Sequence, residues 1–542
     1  MRARTALLSL AAILALGIAC GGASTPPAPT PLTGVRVHVE PALAERLLPL
    51  IEAFAADRGL ALESVAASDA DLVVASEPDG RGTATVTRYW VAVAALPAYA
   101  DDVPMAAIED LIAGRATSWS LDPEAGLAPA LIVPDDPAPP LAQWATPAAA
   151  GALAMPLDAI AGALAADPGA IAVLPLEAVD ASVRSLAVDG ANIVYGPSET
   201  YPLVERAFVS TPGEVAELVT LASELAAALD APPPEPVVLR ATGDIIPARC
   251  AYAKHEQYGD PAHAFRELGP WLAEADLTAG SLDAAISDAG PPFGCVETFS
   301  LLAPASAIEG FELAGFDVIT VATNHVKDCG QAVCGDQAFF ETLENLRAAG
   351  IAPVGGGADL AEARAPAVVE AGGVRFAFLG YDEIAPYYHA AEGVPGTAPL
   401  LEQYVREDVA AAREIADVVV VLPQWGVEYT NDPTLNQRAL ARAAVEAGAD
   451  LVIGNHPHWV QAVELIDGVF VAYALGNFVF DQDWSVPTQQ GVVLEAAFHG
   501  AELKGVRFHP IRIVDEHQPV FAEEPEAREI LDHIWTASAA LE

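Results

Sequence analysis

Basic residues are scarce in this chain: 26 lysines and arginines stand against 74 aspartates and glutamates, a formal net charge of −48 over 542 residues. Such a field repels phosphate backbones and anionic lipid, so we expect no nucleic-acid partner and interpret most of the charge as a solvated acidic surface. Apolar residues make up 53% of the chain and charged residues 18%, which is a globular composition. The length is too great for one core and predicts two or three domains.

Cysteine is also rare, with five residues and no CxxC spacing, which argues against a zinc cluster. One of them, Cys20, belongs to the N-terminal segment. The other four, an even number in an exported protein, predict two disulfides. Three pairings are possible, and the local one joins Cys250 with Cys295 and Cys329 with Cys334.

Apolar runs long enough to cross a membrane are absent beyond the N-terminus. There, Arg2 and Arg4 precede an apolar stretch at residues 6–18, which is short for a bilayer span. The segment LGIAC, ending at Cys20, resembles a bacterial lipobox, although its leucine lies one position further from the cysteine than usual. We therefore predict a lipoprotein signal peptide at residues 1–20, with Cys20 lipidated and the protein held outside the cytoplasm on the cell membrane, at the cell surface or the periplasmic face. Cleavage with secretion, or retention as an uncleaved anchor, are the alternatives.

Two proline-rich segments divide the chain. Residues 21–34 (GGASTPPAPTPLTG) predict a flexible tether, and residues 230–236 (DAPPPEP) predict a linker, because clustered prolines prevent helix and central strand. The predicted domains are therefore residues 35–229 and 237–515. Residues 516–542 predict a C-terminal helix that packs on the second domain, with Ile530, Ile534 and Trp535 on its apolar side.

The first domain alternates predicted strands (residues 35–39, 71–75, 89–94 and 171–174) with a helix at 43–57. Its order is similar to phosphate-type solute-binding proteins, a two-lobed periplasmic fold. The segments that carry this resemblance are residues 108–114, Trp119, and residues 167–172, 183–190 and 201–203. The family's phosphate-holding Ser-Gly-Thr loop is missing, and Pro134-Asp135-Asp136-Pro137 would repel an anion. We therefore expect a degenerate binding module, or one for a ligand that is not anionic.

The second domain contains five β-like runs that each end in a polar, metal-capable side chain. Ligand sites in open α/β sheets lie outside the carboxyl ends of the strands, so these side chains are expected to meet at one edge. Carboxylates, amides and imidazoles are suitable ligands for a divalent metal. The runs end at Asp244, Asp283, Asn324 with His325, Gln424, and His456 with His458.

A family resemblance covers nearly all of residues 237–485. The chain resembles the bacterial poly-γ-glutamate capsule biosynthesis family, CapA, which is related to the calcineurin-like metallophosphatases. The resemblance implies a four-layer α/β/β/α sandwich and one or two divalent metal ions, manganese, iron or zinc. The segments that carry it are Gly243-Asp244 with Arg249, Gly280-Ser281-Leu282-Asp283, Ala322-Thr323-Asn324-His325 with Asp328 and Gly330, Gly355-Gly356-Gly357, Trp425-Gly426 with Glu428-Tyr429, Gly448-Ala449-Asp450, Gly454-Asn455-His456-Pro457-His458, and Tyr473 with residues 475–480.

The resemblance implies roles for individual residues. His325 would orient a non-bridging oxygen or protonate a leaving group. Arg249 and Glu428 would position substrate or a metal ligand, with a structural ion pair as the alternative for either. The two imidazoles of His456-Pro457-His458 would share one side of an extended backbone. The expected metal ligands are Asp244, Asp283, Asn324, Gln424, His456 and His458.

Three positions depart from the family pattern. Asp283 replaces a glutamate, Ser281 an asparagine and Gln424 a histidine. A glutamine carbonyl is a weaker, neutral ligand, so one metal site is expected to be weakened or lost.

The resemblance implies a role in making, exporting or anchoring capsule polymer. The expected partners are an anionic polymer or a phosphoester substrate, the capsule synthesis machinery, and the membrane through the lipid anchor. A non-catalytic polymer-binding or assembly factor with a degenerate metal site is the main alternative, and a phosphodiesterase unrelated to capsule is another.

Overall fold

The computed structural model describes residues 32–78, 81–116, 130–145, 151–196, 200–230 and 235–541. The predicted signal peptide with Cys20, the tether up to residue 31, Trp119, and residues 231–234 of the linker lie outside the described residues. The chain divides into two compact units: residues up to Ala84 with Phe208–Ala228, and Thr85–Ala207 with residues from Leu229 onward. No helix in the described ranges is both long and apolar enough to cross a membrane.

The first unit is built on a small, mostly parallel sheet. Its central strand β1 pairs in parallel with β2 and β3, and β3 pairs antiparallel with β11. Helix α1 buries Leu43, Leu47 and Ile51, which are spaced four residues apart and so share one helical face. The elements of residues 34–75 are β1 Gly34–Val39, α1 Pro41–Asp57, β2 Ala61–Ser64 and β3 Leu72–Ala75.

The chain between residues 81 and 229 continues the α/β alternation. Trp90 and Trp144 are both buried, with their rings edge to face at 6.0 Å between centroids. The elements are β4 Arg81–Ala95, β5 Asp102–Val103, α2 Met105–Ile112, β6 Ala130–Pro134, α3 Leu141–Trp144, β7 Ala152–Met155, α4 Ile160–Ala166, β8 Ala170–Pro175, β9 Val183–Ser185, β10 Ala187–Val188, β11 Val204–Thr211 and α5 Ala216–Leu229.

The rest of the chain forms two larger sheets and the helices beside them. The elements up to residue 382 are β12 Val237–Ile245, α6 Cys250–Tyr258, α7 Gly269–Leu272, β13 Leu277–Leu282, β14 Ala285–Ile286, β15 Leu302–Ala303, α8 Ile308–Leu313, β16 Val318–Thr320, α9 Gln337–Ala348, β17 Ala352–Val354, β18 Gly356–Gly357, α10 Leu360–Ala363, β19 Ala367–Ala371 and β20 Val374–Asp382. They continue with β21 Gly396–Thr397, α11 Glu402–Arg413, β22 Val418–Gln424, α12 Leu435–Ala447, β23 Leu451–Ile453, β24 Val463–Ile466, β25 Val469–Ala472, β26 Asn477–Val479, β27 Gln490–His499, β28 Glu502–Val514, β29 Gln518–Phe521 and α13 Glu526–Ala539.

The two sheets pack face to face with helices outside. One sheet has the order β17-β16-β13-β12-β27-β28-β29, with β26 beside β12; the other has the order β19-β20-β22-β23-β25-β24. Leu239 and Leu277 of the first sheet share one buried cluster with Phe376 and Val420 of the second. Separate clusters join the outer faces to helices, through Phe311 and Phe339 on one side and Val409 on the other. This is the four-layer α/β/β/α arrangement that the resemblance implies, and the whole chain is of mixed α/β class.

Residues 85–207 pack against this sandwich within the second unit. His499 Nε2 lies 2.9 Å from Val194 O, and Lys504 Nζ donates to Glu177 O at 2.9 Å. The Arg507 guanidinium lies 3.7 Å from the Tyr195 ring centroid. The division into compact units therefore does not follow the linker at residues 230–236, because strands β27 and β28 hold the preceding segment through buried contacts.

The four described cysteines form two disulfides. Cys250 is joined to Cys295 and Cys329 to Cys334, which is the local pairing of the three considered.

Candidate metal centre

Parallel strands of the two sheets place the polar side chains of the second domain at their carboxyl ends, rather than at the edge of one sheet. Strand β12 pairs in parallel with β13, and β13 with β16, while β22 pairs in parallel with β23. Asp244 lies one residue before the end of β12, and Asp283 directly follows β13. Gln424 is the last residue of β22. Because the carboxyl ends of parallel strands face one way, these side chains converge.

Two segments reach the same region through loops rather than as strand ends. Strand β16 ends at Thr320, so Asn324 and His325 lie four and five residues beyond it. Strand β23 ends at Ile453, ahead of His456 and His458. The two predicted strands are therefore shorter than their apolar patterns suggest.

A close backbone approach at Gly243 fixes the position of Asp244. The Asp244 N–H donates to Gly476 O at 3.0 Å. A Cβ on residue 243 would lie 2.0 Å from that same Gly476 oxygen, a separation no side chain can adopt. The glycine before the aspartate is thus required for β12 to meet the segment that leads into β26.

Asp244 and Asp283 are buried carboxyl groups with few hydrogen-bond partners. Asp244 Oδ1 and both Asp283 carboxylate oxygens lack a hydrogen-bond donor, and Asp244 Oδ2 accepts only from the His456 N–H among the described hydrogen bonds. Burial, and then the charge of Asp283, raise the pKa of Asp244 well above its usual value. Burial raises the pKa of Asp283 to about 6, a shift that the nearby His325 partly offsets. Two such groups destabilise the fold unless a cation is nearby.

His456 and His458 are buried and neutral. Burial lowers the pKa of His456 to about 3 and that of His458 to about 4. His458 Nδ1 lies 2.9 Å from Asn477 Oδ1, and Asn477 Nδ2 donates to Thr488 O at 2.9 Å, which fixes the amide orientation. His458 Nδ1 must therefore carry the proton, leaving Nε2 with the lone pair that a metal ligand needs.

The backbone of His456-Pro457-His458 is not extended, so that sequence prediction is wrong. His456 has φ of +99° and His458 has φ of +58°, both in the left-handed region. The turn is held by the His456 N–H, which donates to Asp244 Oδ2 at 3.1 Å, and by Pro457 O, which accepts from the Tyr429 N–H at 2.8 Å. The two imidazoles are brought together by this turn, with ring centroids 5.8 Å apart.

Glu428 completes a three-residue group with the two histidines. One ligand atom from each of Glu428, His456 and His458 lies within 4.8 Å of the others. Glu428 is exposed whereas both histidines are buried, so the group opens toward solvent on one side. We call these three residues the histidine half of the centre.

Asn324, Gln424 and Ser281, which we call the amide half, are hydrogen-bonded to one another. Ser281 Oγ donates to Gln424 Oε1 at 3.3 Å, and Gln424 Nε2 donates to Asn324 Oδ1 at 3.4 Å. Asn324 and Gln424 lie near the other expected ligands, but each amide oxygen already accepts one hydrogen bond from a neighbouring side chain.

His325 lies beside the centre and is oriented by Asp328. His325 Nδ1 lies 2.7 Å from Asp328 Oδ2, and the Leu301 N–H donates to that same oxygen at 2.8 Å. Burial lowers the pKa of His325, but the charge of Asp283 and the hydrogen bond to Asp328 outweigh it and raise the pKa to about 8.

Arg249 is held in an ion pair with Asp481. Arg249 Nε donates to both carboxylate oxygens at 3.1 Å, and its Nη1 donates to Thr298 O at 2.9 Å. Asp481 Oδ2 also accepts from the Cys250 N–H at 2.9 Å. Of the two roles considered for Arg249, this geometry matches the structural ion pair.

Two buried polar residues near the centre, Asp382 and Asn455, were not among the ligands expected from the sequence. Asp382 ends strand β20 in register with Gln424, and its carboxylate is satisfied by the Ile384 and Ala385 N–H groups and by Thr397 Oγ1. Asn455 Oδ1 is buried with no donor. The run VRFAFLGYD ending at Asp382 shows the same apolar-then-acidic pattern as the five chosen segments and would have identified the first of them.

The unpartnered oxygen and nitrogen atoms of the centre are suitable ligands for a divalent cation. Unpartnered buried atoms of four residues here are ligand types for such an ion, namely Asp244 Oδ1, Asp283 Oδ1 and Oδ2, Asn455 Oδ1 and His456 Nδ1. Buried polar atoms in native proteins are almost always satisfied, so this many in one place indicate a missing partner.

The chain matches known proteins in its second part. Residues 238–482 match the family model of the bacterial capsule synthesis protein PGA_cap. The capsule biosynthesis protein CapA of Bacillus anthracis is 30% identical over 258 residues, which cover 46% of this chain and 61% of that protein. The PGA biosynthesis protein CapA of Bacillus subtilis is 31% identical over 245 residues, covering 45% and 63%. The chain thus spans less than two thirds of the length of these curated relatives.

Solved structures resemble the chain only distantly. An ABC-type phosphate transport receptor from Vibrio cholerae matches with 12% identity and a TM-score of 0.28, covering 36% of this chain and 93% of the receptor. A putative 5′-nucleotidase from Staphylococcus aureus matches with 11% identity and a TM-score of 0.33, covering 56% and 58%. TM-scores this low do not indicate a shared function.

Proposed function

We propose that this chain takes part in the biosynthesis or export of poly-γ-glutamate capsule, because residues 238–482 match the family model of the bacterial capsule synthesis protein PGA_cap. Two relatives are named for capsule and PGA biosynthesis, and they support the process rather than a particular reaction. The expected partners are the anionic polymer and the machinery that makes it.

The activity that the geometry supports best is metal-dependent hydrolysis, with a bond of the polymer or of a phosphoester as the target. The observation that carries it is the set of unpartnered, buried carboxylate, amide and imidazole atoms at the carboxyl ends of strands from the two sheets. If these residues only stabilised the fold, hydrogen-bonded or apolar side chains would do so with a smaller loss of folding free energy.

Asp244, Asp283, His456 and His458 would hold the metal, with Glu428 at the solvent side and Asn324 and Gln424 as weaker ligands. Manganese, iron and zinc all accept this mixture of nitrogen and oxygen. A bound divalent ion supplies a Lewis acid that lowers the pKa of a water and stabilises developing negative charge.

His325 would act on the substrate rather than on the metal. Its Nδ1 is occupied by Asp328 at 2.7 Å, which leaves Nε2 to donate a hydrogen bond or a proton to a leaving oxygen or nitrogen. Asp328 would fix the ring orientation, as carboxylates beside catalytic histidines do.

The location proposed for this activity is outside the cytoplasm, with Cys20 as a lipid anchor. Two disulfides support an oxidising compartment. Labelling cells with a fatty-acid analogue is expected to mark the full chain and not Cys20→Ser. Unlabelled wild-type protein in the culture medium would support cleavage and secretion instead.

The test of the metal-dependent activity is elemental analysis of the full chain combined with turnover of phosphodiester and γ-glutamyl substrates. Asp244→Ala and His456→Ala are expected to lose both metal and turnover. His533→Ala, which removes a half-exposed histidine from α13, is the matched control and is expected to keep both. Turnover that persists in Asp244→Ala would contradict the proposed metal-dependent hydrolysis.

A second candidate function is a non-catalytic polymer-holding factor, which the amide half favours. The Gln424 and Asn324 oxygens are engaged by Ser281 and by each other, so a second metal would have poor ligands. One metal per chain, with polymer binding and no turnover, would select this candidate.

A further inference from the structure

Two exposed aromatic side chains border the candidate metal centre. The first is Trp484, whose side chain is 59% exposed. Its ring stands edge to face on Tyr429 at 4.8 Å between centroids, and Tyr429 in turn lies 6.0 Å from the His458 ring at an angle of 27°. The inner ring is fixed, because its hydroxyl accepts from Gln482 Nε2 at 3.2 Å and its N–H donates to Pro457 O. Trp484 is thus an outer ring packed on a fixed inner ring, and the inner ring lies beside a proposed metal ligand, His458.

The second outer ring is Tyr387, which is 76% exposed. It stands edge to face on Tyr388 at 4.6 Å between centroids. The Tyr388 hydroxyl donates to Asp328 Oδ1 at 3.3 Å, and Asp328 holds His325. An exposed ring packed on an inner tyrosine therefore occurs twice, once beside His458 and once beside Asp328, the partner of His325.

The charges beside the centre favour contact through uncharged groups. Arg249 is neutralised by Asp481, and Lys327 Nζ lies 2.6 Å from Asp336 Oδ1. Glu428 and Asp483 are exposed. A polyanion that enters here meets two cations that are already paired, so its carboxylates gain little from them. Aromatic rings offer flat contact area at small entropic cost, and amide planes and methylene groups can pack on them.

We propose that Tyr387 and Trp484 are two contact points for an extended poly-γ-glutamate chain that crosses the centre, so that the site takes an internal segment of the polymer rather than its end. This inference rests on the proposed function. A short oligomer would contact only the metal centre, whereas a longer oligomer would also contact one or both of the outer rings.

The test measures the affinity of the full, metal-loaded chain for γ-linked glutamate oligomers of increasing length by calorimetry. Wild-type affinity is expected to rise with length and then level off once both rings are reached. Tyr387→Ala and Trp484→Ala are each expected to weaken the longest oligomer about fivefold to tenfold, the usual effect of losing one aromatic contact. The double variant is expected to bind long and short oligomers alike.

Phe521→Ala is the matched control, because Phe521 is also a partly exposed ring, 45% exposed, held edge to face, but on Trp271 at 5.0 Å. It is expected to keep the wild-type dependence on length. Metal content is measured in every variant and is expected to stay unchanged.

The outcomes separate this inference from the function on which it rests. A length dependence that survives in the double variant would overturn the role of the rings and leave the proposed function standing. So would equal weakening of the shortest and longest oligomers, since the rings would then only support the centre. Metal-loaded wild-type protein that binds no oligomer would overturn both.

Discussion

The two halves of the candidate metal centre differ in how their ligand atoms are used. In the histidine half, His456 Nδ1 is buried without a partner, and the proton of His458 is directed to Asn477, which frees its other nitrogen. In the amide half, Ser281, Gln424 and Asn324 satisfy one another. The difference teaches that an amide side chain such as Gln424, which can both donate and accept, forms a hydrogen-bonded network with its neighbours where an imidazole would keep a free ligand nitrogen. We expect one tight metal, on the histidine half.

The largest expected effect is the loss of that metal in His456→Ala. Removal of a direct ligand is expected to weaken metal affinity by more than about 100-fold, since outer-shell changes alone cost 10- to 100-fold. Titration with a competing chelator measures it. Wild-type affinity in this variant would place the metal elsewhere.

Asn477→Ala is expected to have the next largest effect, although residue 477 is not a proposed ligand. The variant frees the His458 ring to rotate and removes the acceptor that holds the proton on Nδ1, so metal affinity is expected to fall about 10- to 100-fold. The chelator titration serves again. Asn436→Ala, which removes a side-chain amide bonded instead to Glu383, is the control and is expected to bind normally.

The buried carboxyl group of Asp283 is expected to destabilise the metal-free protein once it is ionised. The folded pKa of Asp283 is raised to about 6 from a usual value of 3.8, so the unfolded chain releases this proton first and stability falls as pH rises between those values. Asp283→Asn removes the charge and is expected to raise the free energy of unfolding at pH 7 by about 3 kcal/mol. Urea unfolding of the chelator-treated protein at several pH values checks this.

The stability difference between Asp283→Asn and wild type is expected to grow from about pH 4 to pH 6 and then stay level. A difference that does not change with pH would mean that no proton is involved. Metal binding is expected to reverse the order, with the wild type the more stable protein.

The smallest expected effect is a gain in Gln424→His. A second imidazole at the end of β22 is expected to add a weak site beside the first, raising metal content from one ion toward two per chain at saturating metal. Elemental analysis measures the ratio. Gln424→Asn, which keeps an amide, is the control, and an unchanged ratio in the histidine variant would show that Ser281 and Asn324 do not rearrange.

Much of the fold was predictable from the sequence because apolar periodicity and proline breaks are local signals. Strand β12 ends one residue after Asp244 and strand β22 ends at Gln424. Of the predicted C-terminal helix at residues 516–542, Glu526–Ala539 is helical, whereas Gln518–Phe521 is strand β29. The strand before Asn324 is shorter than its pattern suggests. Strand β16 ends at Thr320 because pairing with β13 and β17 ends there, and pairing is not a local property.

The candidate site was predictable in its membership but not in its geometry. Residue types and strand ends identified Asp244, Asp283, His456 and His458. The left-handed backbone at His456 and His458 was not predictable, because it depends on hydrogen bonds to Asp244 and Tyr429 that are distant in the sequence. The pairing of Arg249 with Asp481 is likewise a contact over 232 positions.

The sequence alone determined the alternation of strands and helices, the acidic surface, the cysteine number and the set of metal-capable side chains, because each follows from composition or short-range pattern. The tertiary structure decided which of those side chains keep a free ligand atom and which are occupied by a neighbour. It also decided that residues 85–207 pack on the sandwich rather than apart from it. Both depend on burial and on partners brought together by folding, and no local pattern of residues specifies a distant partner.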